Sequence, residues 1–147
     1  LYHSVERHDG FYDTMAEKRP DVEILGEMTG EYTRDKAQKV VEDWCQSYPE
    51  FNAIVCANDQ MALGAVEALK AANRLEGVLV AGVDATDDAM QKISEGEMAI
   101  SIRQSADALA QNCYETLQKM QAGEDPGDRV IVDFEPVTVD NVGDYLK

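Results

Sequence analysis

The sequence predicts an α/β lobe: a doubly wound, mostly parallel sheet with helices on both faces, of flavodoxin-like type. Two observations carry this. Short apolar runs alternate along the chain with amphipathic segments of 10–19 residues, the pattern of βαβ units. One run, "VLVAGVD" at 78–84, is apolar at nearly every position, as expected of a parallel strand covered on both faces.

The elements follow in order. Residues 5–18 place Phe11 and Met15 four apart, and Pro20 closes that helix. "DVEILGEM" at 21–28 reads as a short strand with Val22 and Ile24 on one face. Residues 33–48 read as a helix capped by Thr33, with a stripe of Ala37, Val40, Val41, Trp44 and Tyr48. "FNAIVCA" at 51–57 is a strand, and 59–73 a helix with Ala62, Ala65, Val66, Leu69 and Ala72 on one side. After strand 78–84 comes a short helix, 87–96, stopped at Gly96. "MAISI" at 98–102 is a strand. Residues 105–123 are a long helix between the cap Ser105 and the stop Gly123, and "RVIVDFEPVTV" at 129–139 is extended.

Composition limits the function classes. Hydrophobic residues make up 44% of 147 residues, enough for a packed core, and no apolar stretch approaches the roughly 20 residues of a membrane span. The formal charge of −16 repels phosphate backbones and anionic lipid, which argues against nucleic acid as a partner and permits a neutral or cationic small ligand. Cys45, Cys56 and Cys113 lack metal-ligand or redox spacing and read as buried thiols. No metal or cofactor is expected. Dinucleotide, P-loop, zinc-protease and nucleophile-elbow motifs are absent, and no nucleophile sits beside a positioned base, so an enzyme is not expected.

In open α/β sheets ligands bind beyond the carboxyl ends of the strands. At those positions the sequence has Tyr32 after strand 21–28, Asn58 and Asp59 after 51–57, Asp84 at the end of 78–84, and Gln104 after 98–102, with Arg7 opening the first helix. These residue types suit a polyol. A carboxylate accepts from adjacent hydroxyls, Arg and Asn supply planar donors, and an aromatic ring stacks on a sugar face. Each also has an ordinary reading. Asn58 or Asp59 can cap helix 59–73, Asp84 can bias the next helix, Arg7 can pair on the surface, Tyr32 can pack its loop, and Gln104 can be a hinge polar.

Four stretches resemble the C-terminal lobe of type I periplasmic sugar-binding proteins, with the ribose-binding group of ABC-transporter substrate-binding proteins nearest. They are "RHDGF" (7–11), "CANDQMALGAVEAL" (56–69), "VAGVDATDDAMQKISEGEMAISIRQ" (80–104) and "FEPVTVDNVGDYL" (134–146). The resemblance implies ligand contacts from Arg7, Tyr32, Asn58, Asp84 and Gln104, with Asp59 more structural. It implies a small neutral sugar as ligand, a membrane permease as partner and an extracytoplasmic location. The same lobe forms the effector domain of LacI-type regulators, and related lobes serve extracytoplasmic receptors. The ending "VTVDNVGDYL" is similar to that of transport proteins.

On this resemblance, residues 1–104 are the ligand-binding lobe and 105–147 the hinge, return helix, strand and tail. The family's N-terminal lobe, and the strand that precedes R-x-x-G-F, have no counterpart in these residues. A split sheet is therefore expected unless "RVIVDF" (129–134) or a second copy of the chain, as a strand-swapped homodimer, fills the gap, or the chain is a cleaved part of an intact protein. One lobe alone is expected to bind sugar weakly.

Overall fold

The computed structural model describes residues 2–146. The element order is α1 (Tyr2–Lys18), α2 (Arg34–Ser47), β1 (Ala53–Val55), α3 (Asp59–Ala71), β2 (Leu79–Asp84), α4 (Asp87–Ser94), β3 (Ile100–Arg103), α5 (Ala106–Gln121), β4 (Glu135–Thr138) and a closing 3-10 turn at Val142–Asp144. The four strands form one sheet in the order β1-β2-β3-β4. The first three are parallel and β4 runs antiparallel to β3. This is the α/β, mostly parallel architecture that the alternating pattern predicts.

One face of the sheet makes the core. Ile54, Val80, Ser101 and Val137 point into it, and α3 and α4 cover it with Leu63, Val66, Leu69, Met90 and Ile93. Each fully buried aliphatic side chain contributes about 1.5–3 kcal/mol. Helix α2 lies on α3 rather than on the sheet, burying Ala37 and Val41. The fit is close because α3 is built of small residues. A Cβ on Gly64 would stand 2.2 Å from the carbonyl oxygen of Arg34, so only glycine fits there. Arg74 closes the far end of α2. It donates through Nη1 to the carbonyls of Cys45 and Tyr48, both at 2.8 Å, and through Nη2 to Pro49 at 3.0 Å, and it stacks on Phe51. Helix carbonyls that would otherwise lack partners are thereby satisfied.

Local signals set most of the helix ends. Asn58, Thr86 and Ser105 accept backbone N–H bonds from Met61, Ala89 and Ala108. Gly96 and Gly123 turn the chain at φ 76°. Thr33 occupies the N-cap position of α2, but its hydroxyl donates back to Gly30 instead of capping.

Four expectations are corrected. Segment 21–28 forms no strand. Residues 22–30 run without sheet pairing, held by Tyr48 Oη donating to the Leu25 carbonyl (2.8 Å) and by Tyr12 Oη donating to Glu27 (2.9 Å). A strand exists by its pairing, and no strand lies beside this segment among the described residues. "RVIVDF" does not supply one: residues 129–134 are unpaired, and the sheet resumes only at Glu135, on the edge opposite β1. The apolar run of β2 is fully buried on one face only: Val80 and Gly82 are buried, whereas on the other face Leu79 is 63% exposed and Ala81 and Val83 are half-buried. Of the three thiols only Cys56 is buried, and burial pushes it up to about 12, whereas Cys45 is half-buried and Cys113 exposed.

Strand β4 and the tail rejoin the core. Arg103 and Glu135 pair across β3 and β4 at 2.6 Å. Asn141 fixes the following turn, accepting from Thr138 N (2.8 Å) and donating to the Pro136 carbonyl (2.9 Å). Val137 and Val142 are buried beneath it. Pro136 is tolerated because β4 is an edge strand.

Candidate functional site

Parallel pairing brings the carboxyl ends of β1, β2 and β3 side by side. At about 4.8 Å between neighbouring strands, the outer two tips stand about 10 Å apart, within side-chain reach of one small molecule. Those tips carry Asn58, Asp84 and Gln104. The remaining predicted residues, Arg7 and Tyr32, come from α1 and from the loop before α2.

Their contacts form two groups, Arg7 with Asp84 and Gln104, and Asn58 with the Tyr32 backbone, which meet along the chain where Arg7 bonds Ala57 next to Asn58. Arg7 donates through Nη1 to the Ala57 carbonyl at 2.5 Å, and its Nη2 stands 3.6 Å from Asp84 Oδ1. Gln104 donates through Nε2 to the same Asp84 oxygen at 3.1 Å. Asn58 Nδ2 donates to the Tyr32 carbonyl at 3.4 Å. Asp84 is exposed, Arg7, Tyr32 and Gln104 are half-buried, and Asn58 is buried. The arrangement offers an acceptor carboxylate flanked by a guanidinium and a primary amide, open to solvent on one side.

The capping role that residue type left open falls on Asn58, whose Oδ1 accepts from Met61 N at 3.0 Å. Asp59 does something else. It is fully buried, and its Oδ1 accepts from the Ser101 hydroxyl at 2.6 Å while Oδ2 accepts from Thr86 N at 2.7 Å and Thr86 Oγ1 at 3.2 Å. Ser101 Oγ in turn accepts from Ala85 N at 2.9 Å. Burial pushes the Asp59 carboxyl above its ordinary range, against the pull of these donors. Gly82 makes the room, because a Cβ there would stand 2.3 Å from Asp59 Oδ1.

The site loops are conformationally strained. Asp84 and Ala85 have φ of 114° and 51°, and Glu31 and Tyr32 have 47° and 61°. Side chains with a Cβ adopt such angles at a cost of about 1–3 kcal/mol each, and only where surrounding contacts enforce them. Ser101 and Thr86 are not among the residues that the strand-tip pattern singles out. A signal existed: a serine inside the apolar run "MAISI", next to a strand carrying Gly82. Among the described residues no group of three or more metal-ligating side chains gathers, and no helix is long and apolar enough to cross a membrane.

The chain matches the model of the periplasmic binding protein domain over residues 2–125. It is 32% identical to a ribose import binding protein of Haemophilus influenzae over 133 residues, 90% of this chain and 44% of that protein. Among solved structures it resembles a periplasmic solute-binding protein of an ABC transporter from Actinobacillus succinogenes with bound D-allose. The TM-score is 0.85 and the identity 27%, covering 95% of this chain and 49% of that one. It also resembles the Caulobacter myo-inositol binding protein bound to myo-inositol, with TM-score 0.82, identity 30%, and coverage of 96% and 49%. The chain thus spans about half the length of the relatives it matches. Because that family's model matches residues 2–125, and relatives and solved structures of the ribose-binding-like kind match most of the chain, the chain belongs to the periplasmic binding protein domain family.

Proposed function

We propose that this lobe forms one wall of a cleft that holds a small neutral sugar or polyol. It would serve as the solute-binding component of an ABC transporter, outside the cytoplasm, with a second lobe and a membrane permease as partners. Arg7, Asn58, Asp84 and Gln104 make the polar contacts, and Tyr32 supplies an aromatic face. Residues 105–147 serve as hinge and return path: α5 buries no residue of its own, while β4 comes back into the sheet.

The observation that carries this reading is the Arg7–Asp84–Gln104 cluster, seated on a strained backbone at adjacent strand tips. Strain retained at a solvent-facing carboxylate is typical of a site organised before its ligand arrives. Asp84 accepts from Gln104 and lies beside Arg7, so ligand hydroxyls would enter a field already arranged for hydrogen bonding. Domain closure would then bury them.

The test is calorimetric titration of a two-lobe protein carrying this lobe against a panel of monosaccharides and inositols. One member is expected to bind, and Asp84→Ala to weaken it about 100-fold. A charge-assisted bond contributes about 1.5–3 kcal/mol, and Asp84 is positioned to accept from more than one hydroxyl. Unchanged affinity in Asp84→Ala would remove the carboxylate from the site.

A further inference from the structure

We infer that Asp59 and Ser101 are positioning residues, which hold Asp84 in its site-facing backbone conformation without touching the ligand. The inference rests on the binding role proposed for Asp84. Both residues are completely buried, so neither can reach a molecule in the cleft. Their hydrogen bonds end on the two amides that follow Asp84. Ala85 N donates to Ser101 Oγ, Thr86 N donates to Asp59 Oδ2, and Ser101 and Asp59 are joined by the short bond between them.

These are the bonds that a strained turn needs. Asp84 and Ala85 are consecutive residues at positive φ, a combination that the chain would leave if nothing opposed it. The Asp59 carboxylate supplies two acceptors at the base of the turn, and Ser101 relays one of them to Ala85 N. Thr86 Oγ1 bonds both Asp59 and the first turn of α4, so the helix entry is held by the same carboxylate. Four elements therefore meet at one buried group: the start of α3, the end of β2, the middle of β3 and the start of α4. Relaxation of the turn would move the Asp84 carboxylate away from Arg7 and Gln104.

The test uses the two-lobe protein with Ser101→Ala, a change that removes one hydroxyl and little volume. Sugar affinity is expected to fall about 10-fold in the parent protein. In an Asp84→Asn background the same change is expected to cost less than about 2-fold, because its effect runs through Asp84. No loss in the parent, or an equal loss in both backgrounds, overturns the inference. Loss in Asp84→Asn alone, with none from Ser101→Ala, leaves the binding role standing and removes only the positioning role.

A crystal structure of the ligand-free Ser101→Ala protein gives a second readout that does not depend on a ligand. Asp84 and Ala85 are expected to leave positive φ and the Arg7–Asp84 contact to open. An unchanged turn overturns the inference even where no sugar binds. Asp59→Asn, which keeps side-chain size but loses an acceptor, is measured in parallel and replaces Ser101→Ala should that variant not fold.

Discussion

Helices α3 and α5 are alike in sequence terms and opposite in the fold. Each follows a strand, each is capped by its N-cap side chain, Asn58 or Ser105, and each carries an apolar stripe. Yet α3 buries Ala62, Leu63, Ala65, Val66, Ala68 and Leu69, whereas α5 buries nothing and leaves Leu109, Leu117 and Met120 exposed. Helix α1 resembles α5 in this respect: none of its described side chains is buried. Capping and periodicity decide where a helix begins and which face is apolar, while the neighbours decide whether that face is worth anything to stability. The candidate site straddles the divide. Asn58 and Asp84 stand on the packed block, while Arg7 comes from α1, held to that block by polar contacts.

The largest test of this contrast compares two leucines. Leu69→Ala is expected to cost about 2–5 kcal/mol in urea unfolding, since it opens a cavity in the core. Leu117→Ala on α5 is expected to stay within about 0.5 kcal/mol, as for an exposed position. Similar costs at both sites would show that α5 is packed in solution.

Two glycines sharpen it further. Gly64→Ala is expected to cost about 1–3 kcal/mol, because the new methyl meets the Arg34 carbonyl across the α2–α3 contact. Gly10→Ala, in the middle of α1 with no atom within 4 Å of its would-be Cβ, is expected to stabilise by about 0.5–1 kcal/mol through helix propensity. A destabilising Gly10→Ala would place a neighbour against α1.

The smallest effect concerns how α1 is held. His8 Nε2 lies 3.1 Å from Glu27 Oε1, and Tyr12 donates to the same carboxylate group. Asp9 first, then Glu27, raises the His8 pKa above its ordinary value of about 6.5, and Tyr12 with His8 lowers that of Glu27. The imidazolium contribution is complete below the ordinary imidazole value and is lost as pH rises through the raised one. The Glu27 contribution is present above the ordinary carboxylate range and is lost as pH falls through the lowered value. Protection of the α1 amides from hydrogen exchange is therefore expected to be highest between these limits and to decline modestly as pH rises through the raised His8 value. A His8→Gln variant should show no decline on the alkaline side.

Most elements of the packed block were legible from periodicity and caps, because burial there agrees with the local pattern. Helices 33–48 and 59–73 and strand 78–84 appear within two residues of their expected ends. Segment 21–28 was misread because alternation of Val22 and Ile24 reports a face, not a partner. The positions of Asn58, Asp84 and Gln104 at strand tips were legible through the alternation of strands and helices, whereas Arg7, on α1, was picked out by the R-x-x-G-F resemblance. The Asp59–Ser101–Thr86 network was not. Its members lie 15 to 42 positions apart and carry no spacing rule, and the capping role that residue type left open between Asn58 and Asp59 falls to Asn58.

The order of residues by itself determined the α/β class, the helix limits and the polar chemistry at the strand ends, because these follow from hydrogen bonding and periodicity over a few neighbouring positions. Only the tertiary structure decided which apolar faces are covered, which strand finds a partner and how the Asp84 turn is held at positive φ. Those outcomes depend on groups distant in sequence meeting in space, where burial and desolvation, not local propensity, set the energy.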